Sequence, residues 1–227
     1  MTFKDRLKKD RDIYRGLSKQ ERKLFLWDYY KGPILTTAIA LVLTVAALIT
    51  WAGKKDIAMY AVFLNSCASA TETDPAALDD LLAAGGVDMD GKTIDITADL
   101  TLGQSYSNDT DGQTIQILAA MFGISGLDVF AADEASFDRY AVQDAFVDLS
   151  LFLEPDLYEN DFCRPYWYEN SDGHRILGGI VLLPGSVLHE AGYYLDSVMI
   201  GVAANAENLD AAVTFVTQIL QAQLGRK

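Results

Sequence analysis

Apolar and polar residues alternate in different rhythms along the chain, and each rhythm names an element. Residues 3–30 are charged and partly amphipathic, and Ser18 followed by Glu21 is a capping-box pattern that predicts a helix from about 19 to 30. From Pro33 to Trp51 the pattern vanishes into a block with no charged residue. Beyond Lys55 it changes again. Ile57–Asn65 is a compact apolar run suited to a buried strand, and Asp74-Pro75 opens a helix through Leu78, Leu81 and Leu82 that Gly85-Gly86 ends. Thr93–Leu100 alternates as a strand does. Thr110–Phe122 carries Ile115, Leu118, Ala119 and Phe122 at helical spacing, and Leu127–Ala132 is a short strand. Glu134–Ala145 reads as helix, Phe146–Leu153 as a return to the core, and Ile176–Leu183 and Ser197–Ala204 as strands. Asn208–Gln223 is a terminal helix with a stripe of Leu209, Val213, Val216 and Leu220. Strands alternating with helices predict a three-layer α/β domain with an at least partly parallel sheet and helices on both faces.

The uncharged block changes the picture most. Its 19 residues, as a helix, reach roughly 28 Å, close to the hydrocarbon thickness of a bilayer. A helix apolar on every side needs either lipid or a large core around it. The threonines at 36, 37, 44 and 50 are tolerable because a helical hydroxyl bonds a preceding carbonyl. Three segments follow: a tail at 1–32, a transmembrane helix at 33–51 and an outer domain at 52–227. The tail holds ten Lys/Arg against five Asp/Glu, a net of +5, and the outer domain eight against 27, a net of −19. Basic residues near a span stay in the cytoplasm, so the expected localisation is the cell membrane, with the N-terminus inside and the C-terminal domain extracellular. A cleaved secretory signal would have a shorter apolar region, nearer the N-terminus; an uncleaved signal anchor fits better. A domain at −19 repels nucleic acid and anionic lipid.

Chemical motifs are sparse. Cys67 and Cys163 both follow the span and could form a disulfide in an oxidising exterior if their backbones approach; free thiols are the alternative. Leu64-Asn65-Ser66-Cys67 imitates a lipoprotein cleavage box but lies too deep in the chain. Ser107–Gly112 imitates the front of a calcium loop, yet Leu118 falls where a bidentate carboxylate belongs. His174 and His189 have no ligand-spaced partners, so no metal site is expected. Gly185-Ser186 with His189 is not a nucleophile elbow, because Leu188 replaces the second glycine. No cofactor motif is present, and the expectation is a protein that is not an enzyme. Tyr166, Trp167 and Tyr168, with Tyr158 and Phe162 before them, are the candidate ligand-binding residues, since rings with polar tips suit sugar or peptide contacts. The other reading is an aromatic cover over core.

Two stretches carry a resemblance. Asp128-Val129-Phe130 followed by Ala141-Val142-Gln143-Asp144-Ala145-Phe146-Val147-Asp148-Leu149 resembles the extracellular solute-binding proteins of bacterial ABC importers, with Asp144 standing where those proteins usually carry glycine. Val198–Ala212 with Phe215 and Leu220 resembles their later strand-and-helix segment, in which a strand from the hinge delivers the chain to a helix packed on the first lobe. The resemblance implies one lobe of a periplasmic-binding-protein fold, a small-molecule, sugar or peptide ligand, and an ABC permease or other membrane protein as partner. Such proteins run to roughly twice the length of the outer domain, with two lobes closing on ligand, so residues 154–196 are too few for a second lobe. The lead-in Trp27-Asp28-Tyr29-Tyr30-Lys31 resembles that of many small Gram-positive membrane proteins. A structural or assembly role, with the lobe kept as a protein-contact surface, is the competing expectation.

Overall fold

A computed structural model describes residues 35–46, 56–103, 109–124 and 126–225, and with them Gly16, Ser18, Glu21 and Gly32. The chain divides into two compact units, residues 1–54 and 55–227.

In the first unit the capping box forms as expected. Ser18 N–H donates to Glu21 Oε2 (2.9 Å) and Glu21 N–H to Ser18 Oγ (3.5 Å). These Ser18 contacts, its backbone N–H first, hold the Glu21 carboxyl below its usual range. Residues 35–46 are helical and exposed throughout, and Thr44 Oγ1 donates to Ala40 O at 2.8 Å. Among the described residues no helix is long and apolar enough to cross a membrane. Positions 33, 34 and 47–51 of the apolar block lie outside them, as does most of the tail.

The second unit is an α/β domain built on one mixed six-stranded sheet. The strands are β1 (Asp56–Phe63), β2 (Lys92–Thr97), β3 (Val129–Ala132), β4 (Cys163–Glu169), β5 (Arg175–Leu182) and β6 (Val198–Val202), in the spatial order β2-β1-β3-β6-β5-β4. β1, β2 and β3 run parallel. β6 inserts antiparallel to β3, and β5 and β4 follow, each antiparallel to its neighbour. Helices α1 (Pro75–Ala84), α4 (Pro155–Tyr158), α5 (Val187–Glu190) and α6 (Leu209–Leu224) cover one face; α2 (Asp109–Gly123) and α3 (Glu134–Ala141) cover the other. Both faces are therefore helix-covered, which fits the near-continuous apolar character of β1, β3 and β6.

Local chemistry explains the elements. Asp74 caps α1 by accepting the Ala77 N–H (3.2 Å), Pro75 occupies its first turn, and Gly86 leaves it at φ +88°. Asp79 of α1 accepts the Ile94 N–H (2.8 Å) and the Thr93 hydroxyl (2.9 Å), pinning β2 to the helix. Asp128, almost fully buried, accepts from Tyr60 N–H (2.9 Å), Asn208 N–H (2.7 Å) and Asn208 Nδ2 (3.0 Å). One carboxylate thus ties β1, β3 and the start of α6. On the α2–α3 face, Phe137 lies flat on Phe146 (4.2 Å, 5°) and fills space that Gly179 and Gly201 leave. A Cβ on Gly201 would stand 2.7 Å from the Phe137 ring and 2.6 Å from Gly178 O.

Two expectations need correction. The helix from Glu134 ends at Ala141, because Gln143 and Asp144 turn back onto Tyr140 and Ala141 carbonyls and Asp144 takes φ +55°. Phe146–Leu153 returns to the core as expected, with Phe146, Leu149 and Leu153 buried; Phe146 makes one bridge to Ala203 and Leu149–Leu151 is a 3₁₀ turn. Residues 163–169, read as candidate binding residues or aromatic cover, form β4, which pairs with the expected strand β5 as a hairpin at the sheet edge.

Candidate functional site

The sheet order sets where a crevice opens. From β1 the chain passes through α1 on one face to β2, then through α2 on the other face to β3, on the opposite side of β1. Such a reversal leaves a crevice outside the carboxyl ends of the strands, between β1 and β3. Asn65 follows β1 there and Asp133 follows β3. Asn65, at φ +54°, donates Nδ2 to Leu102 O (3.0 Å) and Asp133 Oδ2 (2.6 Å), and its Oδ1 accepts the Leu102 N–H (2.7 Å). Asp133 caps α3 by accepting the Ser136 N–H (3.1 Å) and takes the Ser136 hydroxyl on its other oxygen (2.8 Å).

The crevice is plugged from above. Tyr194, on the loop before β6, reaches between the strand ends, and its hydroxyl lies 3.0 Å from both Leu64 O and Ala131 O. Burial, with Asp133 and then Cys67 as smaller causes, pushes its phenol well above the usual value. The loop itself is held down: Cys67 N–H donates to Tyr193 O (2.8 Å), Asp74 N–H to Ala191 O (3.0 Å), and the Thr71 hydroxyl to Gly192 O. Gly192, at φ +81°, lies so close to Glu72 O that a Cβ would stand 2.2 Å from it. What stays open is a cavity of about 210 Å³ bounded by Asn65, Cys67, Asp133 and Leu195–Ser197.

On the same loop Ser186 Oγ meets His189 Nδ1 (2.6 Å) and His189 Nε2 meets Asp196 O (2.7 Å). A carbonyl only accepts, so Nε2 carries a proton, and in the neutral ring Nδ1 accepts from the serine. The pattern has the form of a nucleophile with its base, but Ser186 is fully buried; the pair braces the loop. His174 sits apart in the β4–β5 turn, its N–H donated to Asn170 Oδ1 (2.8 Å). No group of His, Cys, Asp or Glu among the described residues could hold a metal ion. Of the calcium-like segment, 107 and 108 lie outside the described residues; Asp111 is buried and accepts the Gly103 N–H (2.9 Å), and Leu118 is core.

The aromatic triplet does not converge. Tyr166 and Tyr168 face the α2–α3 side, where Tyr166 donates to Asp138 Oδ1 and meets Phe137 edge-on (5.6 Å). Trp167 faces the other side, against Tyr158 (6.5 Å) and under the Arg175 guanidinium (4.9 Å). Strand alternation separates them. Burial is the main cause that raises the phenols of Tyr166 and Tyr168, the latter to about 12. Cys67 and Cys163 are free thiols. Cys67 Sγ donates to Gly192 O (3.5 Å) and Cys163 Sγ to Leu157 O (3.4 Å). Four strand spacings separate β1 from β4, about 19 Å, against a Cα separation below about 7 Å in a disulfide.

A larger concavity, about 520 Å³, opens between α2, the end of α3 and the residues after β6. Its walls are Ile115, Ala119 and Phe122 of α2, Arg139 and Tyr140 of α3, the Gln143–Ala145 turn, and Ala204 and Asn205. Sequence reasoning missed it as a site, although its two loop walls belong to the two stretches that carry the family resemblance. Those stretches pair directly: Phe146 bridges Ala203, and Ala204 N–H donates to Ala145 O (2.8 Å).

No protein-family model, curated protein or solved structure matches the chain.

Proposed function

We propose that this is a single-pass membrane protein whose outer domain, 52–227, is a non-enzymatic binding module derived from one lobe of an extracellular solute-binding protein. It binds a small molecule or peptide and works beside an ABC permease or another membrane component. Residues 33–51 form the transmembrane helix, the basic tail stays in the cytoplasm and the acidic domain lies outside. The uncharged block and the charge difference across it support this topology. So does the helix at 35–46, whose large side chains are exposed on every side (Leu41, Val42 and Leu43 by 65%, 66% and 64%), an arrangement suited to lipid rather than water.

The observation that carries the binding reading is the pairing of Ala141–Leu149 with Val198–Ala212. Both segments resemble the same family, and they meet through Phe146 and Ala203, with β6 then feeding α6 onto the domain. The test is thermal unfolding of the full chain in lipid nanodiscs against sugars, short peptides and small organic acids and amines. Stabilisation by one class supports a binder; no shift across the panel contradicts it.

A specific observation favours a second reading. Tyr194 fills the crevice in which a lobe would meet ligand, and Leu195 (70%), Leu151 (77%) and Phe152 (46%) are exposed. A domain kept for protein contact would look this way. Cross-linking in cells to a membrane protein, with no ligand response, would favour it.

A further inference from the structure

We propose that the concavity between α2 and α3 takes an uncharged molecule with a flat aromatic body. The inference rests on the binding reading above and moves the site away from the plugged strand ends. The volume of about 520 Å³ falls within the range of about 300–1,000 Å³ common to small-molecule sites. Its apolar wall is Ile115, Ala119, Phe122 and Tyr140. The Phe122 ring is fixed before any ligand arrives. It stacks on Tyr140 (4.8 Å, 22°) and meets Phe130 (5.3 Å) and Phe146 (6.0 Å) edge-on. A ring already held in place gives up little freedom on binding, and it offers another ring a surface to pack on. Ile124 follows the wall residue Gly123 and Val142 precedes Gln143; both are exposed and extend the apolar rim into solvent.

The polar part of the wall decides the charge of the ligand. Asn205 Nδ2 is committed to Phe122 O, and Gln143 Nε2 to Arg139 O (2.9 Å). Ala145 O takes the Ala204 N–H (2.8 Å). Two charged residues stand among the described lining residues, Arg139 and Asp144, and their signs cancel. Arg139 has interactions of its own. Asp144 receives the Ser171 N–H on both oxygens (3.1 and 3.2 Å), so this carboxylate serves the β4–β5 turn. A carboxylate or an ammonium entering here would leave water for a wall with no net charge, and the desolvation of an unmatched charge opposes binding. A neutral ring escapes that cost and buries apolar surface against the wall.

The test is isothermal titration of the full chain in nanodiscs, with empty nanodiscs subtracted, using 2-naphthamide, 2-naphthoate and 2-naphthylmethylamine. The neutral amide binds about tenfold tighter than either charged probe, the penalty of an unmatched charge. Ala119→Trp, a change at an exposed helix position that fills the concavity, removes binding of the amide. A diazirine-bearing naphthamide, photolysed on the native chain, labels peptides that contain Phe122 or Tyr140. Absent binding of the amide, equal or tighter binding of a charged probe, unchanged binding by the Ala119→Trp chain, or labelling confined to other peptides overturns the proposal. A thermal-shift ligand that stabilises Ala119→Trp as well as the native chain would leave the binding reading standing and sink this site alone.

Discussion

The Tyr194 hydroxyl lies 3.0 Å from carbonyl oxygens at the ends of two parallel strands, Leu64 O just after β1 and Ala131 O in β3. One phenolic proton is shared between two acceptors that come from segments 67 residues apart. The Tyr194 ring occupies the crevice that the sheet order creates. Ala131 O also receives the Leu64 N–H (2.8 Å), so Leu64 O depends more on the tyrosine.

Tyr194→Phe keeps the ring and removes that donor. The expected loss is about 1–2 kcal/mol, the cost of one buried carbonyl deprived of its partner. Urea unfolding of the domain followed by far-UV circular dichroism reads it; an unchanged midpoint would mean that water replaces the hydroxyl without cost.

Asp128 is a more severe case. Its carboxylate accepts three donors from β1 and the start of α6. Asp128→Ala leaves the Tyr60 and Asn208 N–H groups unpaired, and the expected loss is about 3 kcal/mol or more. Unfolding midpoints compared with those of Asp88→Ala, a change in an exposed turn, measure the difference.

Stability falls in alkali. The phenols of Tyr194, Tyr166 and Tyr168 are raised in the folded protein, chiefly by burial. Groups with raised values stabilise the fold fully below their unfolded pKa, about 10 for tyrosine, and lose that contribution as pH rises through the folded value. The folded chain then holds protons that the unfolded chain releases. Denaturant midpoints measured from pH 7 to 11.5 should therefore be level with respect to these groups up to about 10 and decline beyond it. Tyr194→Phe should flatten the decline.

The two thiols should differ in reactivity. Cys67 is partly exposed, whereas Cys163 is buried and its thiol is raised mainly by that burial. A thiolate is the reacting form, so iodoacetamide followed by mass spectrometry should modify Cys67 first and Cys163 only on unfolding. A cross-linked peptide containing both residues, found without reductant, would contradict the separated thiols.

Much of this fold is written in local pattern. The buried runs of β1 and β3, the Asp74-Pro75 opening of α1, the spacing within α2 and the apolar stripe of α6 each depend on neighbours a few residues away. What could not be read depends on distant partners. Tyr166, Trp167 and Tyr168 form a strand with rings on both faces, so no polar alternation marks it, and adjacency in sequence means opposition in space. Asp144 ends α3 by adopting a positive φ, a task that a glycine would have announced. Nothing in Gly192-Tyr193-Tyr194 reveals that the third residue closes the ends of β1 and β3. The concavity was hidden for the same reason: its walls come from α2, α3 with the turn after it, and the residues after β6, which only the fold brings together.

The proposed topology places the acidic domain beyond the membrane. Cys67 offers a direct reporter, being partly exposed, and in the Cys163→Ser chain it is the only thiol. A membrane-impermeant maleimide applied to intact cells should label that chain to the same extent as in cells gently opened without denaturant. Labelling confined to the opened cells would put the acidic domain in the cytoplasm and contradict the proposed topology.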